Sequence, residues 1–118
     1  MPYSIVFYKD RKGNQPVKDF IDELSSSSGK DARVNFRKIA TYINYLRYEG
    51  LGGGGEPYIK HLRGEIWELR PLGNRILFAP LAGCRFVLLH VFQKKTQKTP
   101  LQEIEKAERE LEDFKRRY

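Results

Sequence analysis

Six side chains in the second half of the chain have the types and spacing for anion chemistry. Glu68, Arg70 and Arg75 flank the short stretch PLGN, and Lys94, Lys95 and Lys98 follow in QKKTQK. Two guanidinium groups can hold the oxygens of one phosphate in fixed geometry. Ammonium groups crowded among other cations suit proton transfer near neutral pH. Glu68 offers a base, or a carboxylate that orients the arginines; its place between them favours the orienting role.

These residues need a scaffold, and the hydrophobic pattern supplies one. YSIVFY, residues 3–8, reads as a strand closed by the turn KDRKGN. Pro16 suits a first helical turn, and Val17, Phe20, Ile21 and Leu24 then recur at helical spacing. SSSSG ends that helix. A second helix is expected over Lys30 to Tyr48, with Phe36, Ile39, Ala40, Ile43 and Leu46 on one stripe. GLGGGGEP, Gly50 to Pro57, is a loop; no Lys-Ser/Thr follows it, so it is not a phosphate cradle.

Three strands should follow, IKHLRGEIWELR, RILFAP and CRFVLLHVFQ, the last apolar on both parities and so buried on both faces. Thr99 as N-cap, Pro100 and Gln102 form the capping box of a final helix with Leu101, Ile104, Ala107, Leu111 and Phe114 on a narrow stripe. The order β-α-α-β-β-β-α predicts an α+β domain with its helices on one face of a mostly antiparallel sheet. A hairpin at PLGN sets Arg70 opposite Arg75 and puts Glu68, Ile66 and Leu77 on their face. Trp67, Leu69, Ile76 and Phe78 then turn to the helices. Lys94 shares the parity of Leu88, His90 and Phe92, so the lysines would rim the face that carries the arginines.

Composition narrows the function classes. At 118 residues the chain makes one domain, 1–118, and 40% apolar residues suit a packed core. No apolar run approaches the roughly 18 residues of a membrane span. MPYSIVFYKDRKG turns charged too soon for a signal peptide. Cys84 is the single cysteine, which excludes an internal disulfide and a Cys-based zinc site. A cytoplasmic setting is the expectation. The net charge of +7 is concentrated: residues 60–98 hold eight Lys/Arg against two Asp/Glu, so this segment should face nucleic acid or an acidic protein. Elsewhere the expectations are structural. His61 lies at a sheet edge, His90 in the core, and Tyr42, Tyr45 and Tyr48 pack under the loop.

Together, IWELR, GNRILF and LLHVFQKKTQKTP joined to EIEKAERELEDF resemble the phage-derived, HigB-like branch of the RelE/ParE toxin superfamily. The resemblance covers almost the whole chain. It implies a RelE-like fold, a helical pair on a twisted antiparallel sheet, and the toxin of a type II toxin–antitoxin system. It also implies metal-independent, ribosome-dependent cleavage of mRNA by attack of a 2′-hydroxyl on the adjacent phosphodiester, with no cofactor. By position, Arg75 and Arg70 match the family's strand arginines. Lys94 and Lys95 stand where many relatives carry His or Tyr, a departure that leaves the acid and the base open. Lys60, Arg63 and Lys98 would bind the RNA. The partners implied are mRNA on the ribosome and a HigA-like antitoxin with a helix-turn-helix, through which alone operator DNA is met. Two other classes remain: a ParE-like, non-catalytic inhibitor of DNA gyrase, and a basic nucleic-acid-binding module.

Overall fold

A computed structural model describes residues 2–52 and 58–118. Strand β1 (Ser4–Phe7) is followed by helices α1 (Pro16–Ser26) and α2 (Lys30–Glu49). Four strands come next, β2 (Ile59–Arg63), β3 (Ile66–Leu69), β4 (Asn74–Leu81) and β5 (Arg85–Gln93), and then helix α3 (Leu101–Arg117). They form one sheet in the order β1-β5-β4-β3-β2, parallel between β1 and β5 and antiparallel elsewhere.

The expected element order gains a strand. IKHLRGEIWELR does not run straight: it folds back at Gly64 (φ 55°) into the β2–β3 hairpin, pairing Lys60 with Glu68 and His61 with Trp67. The left-handed φ at glycine is what allows so tight a reversal. Pro16 opens α1 as expected. Gly50 closes α2 at φ 63°, and a Cβ there would meet the Tyr3 ring at 2.8 Å. The remainder of the glycine loop, Gly53 to Pro57, lies outside the described residues.

The helices do not share one face. Val17, Ile39, Ile43 and Leu46 of α1 and α2 pack with Ile59, Leu69, Ile76, Phe78 and Leu88, as the hairpin parity required. Ala107, Leu111 and Phe114 of α3 cover the other face, against Ile66, Leu77, Ala79, Val87 and Leu89. The reason is a strand with two apolar sides: β5 sits between β1 and β4, Phe86 to His90 are all buried, and each side needs its own cover. Within the second-helix stripe, Ala40 is exposed instead of buried.

Two local expectations also fail. A bulge between Leu77 and Phe78 pairs them with His90 and Leu88, which puts Leu88 on the α1–α2 side and His90 under α3. One extra residue reverses the parity beyond it. The capping box is absent as well: α3 begins at Leu101 without a side-chain cap, and the Thr99 hydroxyl is spent elsewhere.

Hydrogen bonds and ion pairs tie α3 down. His90, 2% exposed, meets Glu110 Oε1 at 2.6 Å through Nδ1 and Glu103 Oε1 at 2.9 Å through Nε2. Arg63 Nε donates to Glu108 at 3.0 Å, and Lys115 Nζ to Glu65 at 2.8 Å. Tyr8 donates to Asp113 at 2.6 Å; burial, then that carboxylate, pushes the phenol up to about 12. Hydrogen bonds from Arg117 and Tyr8 hold Asp113 down at about 2. Tyr45 stacks on Tyr58 with centroids 4.1 Å apart and Tyr42 leans on the same ring, while Tyr48 stays exposed. No helix among the described residues is long and apolar enough to cross a membrane.

Candidate functional site: a cationic pocket at the end of the sheet

The β3–β4 register pairs Leu69 with Ile76, and one step further sets Arg70 opposite Arg75. The two-residue turn between them, Leu72–Gly73, is closed by the Asn74 N–H on Pro71 O at 3.1 Å. This turn organises the site through its carbonyls. Arg75 Nη1 donates to Leu72 O and to Asn74 O, both at 2.8 Å. Lys94 N–H donates to Gly73 O at 2.8 Å, which brings the start of the lysine loop against the turn.

Beneath the arginines lies Glu68, 2% exposed. Its Oε2 stands 3.6 Å from Arg70 Nε and 4.0 Å from Arg75 Nε. Its Oε1 accepts the Thr99 hydroxyl. A carboxyl group buried this deeply needs such partners. Both carboxylate oxygens therefore have partners, the two arginines on Oε2 and the Thr99 hydroxyl on Oε1. The face expected to be open is thus partly roofed by the residues that lead into α3.

Arg75 itself is 7% exposed. Burial lowers its pKa from the ordinary arginine value, Glu68 pulls the other way, and Arg70 adds to the lowering; a guanidinium nonetheless stays charged at neutral pH. Both Nη1 hydrogens go to carbonyls, and no hydrogen bond among the described residues uses Nη2. Arg75, Phe92 and the loop Lys94–Pro100 line one small hollow. Lys94, Lys95 and Lys98 are exposed around it, and among the described residues no carboxylate pairs with them. Arg75 is thus held along one edge by backbone carbonyls while it lines the hollow.

Of the expected site residues, Glu68, Arg70, Arg75, Lys94, Lys95 and Lys98 come together. Lys60, exposed on β2, lies opposite Glu68 and extends the same face toward the sheet edge. Arg63 does not join them: it is bound to Glu108 of α3 beside the β2–β3 turn, at the far end of that hairpin. His61 also stays near that turn, 2.8 Å from Gly64 O. Among the described residues no three His, Cys, Asp or Glu side chains are grouped to hold a metal ion.

Sequence reasoning missed three supports. Thr99 was assigned to a helix cap, and no local signal separates that use from a bond to a distant carboxylate. Asn74, 1% exposed, receives Gln93 Nε2 on its Oδ1 at 2.8 Å and donates through Nδ2 to Asn35 Oδ1 at 2.7 Å. This amide chain fastens α2 and β5 to the turn, and the β4–β5 register sets Asn74 beside Gln93. Leu72 is the third. It takes φ 59° while Gly73 does not turn left-handed, the pattern of a type II′ turn with its glycine in the second place instead of the first. Such a φ costs a non-glycine residue roughly 1–2 kcal/mol.

A family model of phage-derived, Gp49-like proteins (DUF891) matches residues 19–112, from α1 into α3 and across the whole pocket. No curated protein matches the chain.

Proposed function

We propose that this chain, which belongs to the Gp49-like family of phage-derived proteins, is the toxin of a type II toxin–antitoxin system and cuts mRNA on the translating ribosome without a metal. The observation that carries this reading is Arg75, clamped through Nη1 by two carbonyls and facing a hollow ringed by lysines. A preorganised guanidinium stabilises charge as it develops in a transition state, without reorganisation at the moment of reaction.

In the proposed reaction the 2′-hydroxyl loses its proton as its oxygen bonds the adjacent phosphorus. The bond from phosphorus to the 5′-oxygen breaks, that oxygen takes a proton, and a 2′,3′-cyclic phosphate remains. Arg75 and Arg70 hold the charge on the phosphorane oxygens, and Glu68 aims both. Lys94 and Lys95 exchange the protons. Lys60 and Lys98 carry the flanking backbone, whereas Arg63 is occupied by Glu108 and lies off this path. The blocks IWELR, GNRILF and FQKKTQKTP, and a helical pair on a largely antiparallel sheet, support a RelE-like, HigB-like toxin in the cytoplasm. Its antitoxin, HigA-like and carrying the helix-turn-helix that meets operator DNA, would lay acidic residues over the pocket.

One observation favours a second reading, a ParE-like binding inhibitor or a basic nucleic-acid-binding module: neither imidazole reaches the pocket. His90 is closed in by Glu103 and Glu110, and His61 stays beside the β2–β3 turn. Induced expression of wild type and Arg75→Ala, with growth and mRNA 5′ ends followed in the same cultures, separates the readings. Arrest with new cuts in translated messages, both lost in the variant, is expected. Arrest without new ends would favour the inhibitor, and no arrest the binding module.

A further inference from the structure

Leu72 stands at the tip of the turn that builds the pocket, 45% exposed and in a left-handed conformation that glycine adopts without cost. The strain is not explained by what the turn does for Arg75. That service is a carbonyl, and glycine at this position would present the same carbonyl in the same place. Glycine is even at hand in the next residue, Gly73, where no left-handed φ requires it. The leucine side chain gains little from the fold, since nearly half of the residue is in solvent. Strained residues that the fold does not need concentrate at functional sites.

We infer that Leu72 is a specificity-determining contact, an apolar wedge against the nucleobase next to the phosphate held at Arg75. The chemistry of the surroundings selects this ligand. Arg75, Arg70 and the lysine loop supply positive charge for a backbone, and Leu72 adds an exposed apolar group on the turn beside them. A nucleotide beside them presents a flat apolar face, and leucine is among the side chains that wedge against bases or between base steps. Leu72 adjoins Gly73, whose carbonyl holds Lys94, so base contact and phosphate contact lie within one turn.

This inference rests on the RNA-cutting reading, and the test keeps their failures apart. Wild type, Leu72→Ala, Leu72→Gly, Leu72→Met and Arg75→Ala are expressed, mRNA 5′ ends are mapped, and the purified proteins are melted. Cys84→Gly serves as the control for strain relief alone, because Cys84 is also exposed, at φ 56°, in the β4–β5 turn away from the pocket. Leu72→Ala and Leu72→Gly should cut about tenfold less, the worth of burying one leucine side chain, and lose the wild-type nucleotide preference beside the cut. Leu72→Met should restore both. Leu72→Gly should melt at or above wild type, so its loss of cutting cannot be a loss of fold. Cys84→Gly should cut as wild type does. Wild-type frequency and preference in both Leu72→Ala and Leu72→Gly would overturn the inference and leave the RNA reading standing, provided that Arg75→Ala is silent. Unchanged cutting with weakened antitoxin binding would assign Leu72 to the partner and overturn it too. No cuts by wild type would overturn the reading beneath it.

Discussion

The two ends of the basic segment treat their cations in opposite ways. Around α3 the positive groups meet carboxylates, Arg63 with Glu108, Lys115 with Glu65 and Arg117 with Asp113, and the His90 ring lies between Glu103 and Glu110. At the pocket Glu68 is buried beneath two arginines, while Lys94, Lys95 and Lys98 stand without an acidic partner among the described residues. Pairing neutralises charge and fastens a helix; leaving charge unpaired maintains a field that attracts an anion. Glu103, Glu108, Glu110 and Asp113 therefore serve α3's attachment, and the charge that remains uncompensated lies at the pocket.

The sharpest break of that contrast is at Arg75. Arg75→Lys keeps the charge but cannot reproduce two carbonyl bonds with a second edge free, and cutting should fall by about 10²–10³, read as the loss of new mRNA 5′ ends at equal protein level. A smaller effect is expected from the roof. Thr99→Val removes the donor to Glu68 Oε1 and should lower the cutting rate about tenfold through misaimed guanidinium groups. Thr99→Ser should restore it; equal rates in all three proteins would mean that Thr99 serves only α3.

On the paired side the effects belong to stability. Asp113 has its pKa depressed from 3.8 to about 2, so its contribution is complete above about pH 4 and disappears as pH falls through 2. Melting temperatures from pH 7 to pH 2 should fall along an acid limb that is shallower in Asp113→Asn; superimposable limbs would show that Asp113 does not anchor α3. The smallest effect is Arg63→Ala. Its ion pair is solvent-exposed, so the melting temperature should barely move and cutting should persist. A large loss of cutting there would place Arg63 back on the RNA path.

Several features were legible because they depend on neighbours in sequence. The stripes of α1 and α2, the interior position of β5 and the register that joins Glu68, Arg70 and Arg75 all follow from period and turn length. Other features depend on a single residue or on distant partners. Gly64 turns one expected strand into a hairpin, and the bulge moves Leu88 to the opposite side from His90 and Phe92, which keep the face of Leu77 and Arg75. Thr99 had two compatible uses, and the nearness of Glu68, remote in sequence, selected the second.

The amino-acid sequence by itself determined the three helices, which residues of the β3–β4 hairpin meet, and where the positive charge is concentrated, because these are set within one element or one turn. Only the tertiary structure decided that α3 crosses to the second face, that Glu68 is buried and engaged on both oxygens, and that Arg63 is drawn away from the pocket. Those outcomes depend on which distant apolar surface needs covering and which carboxylate arrives beside which cation once it is covered.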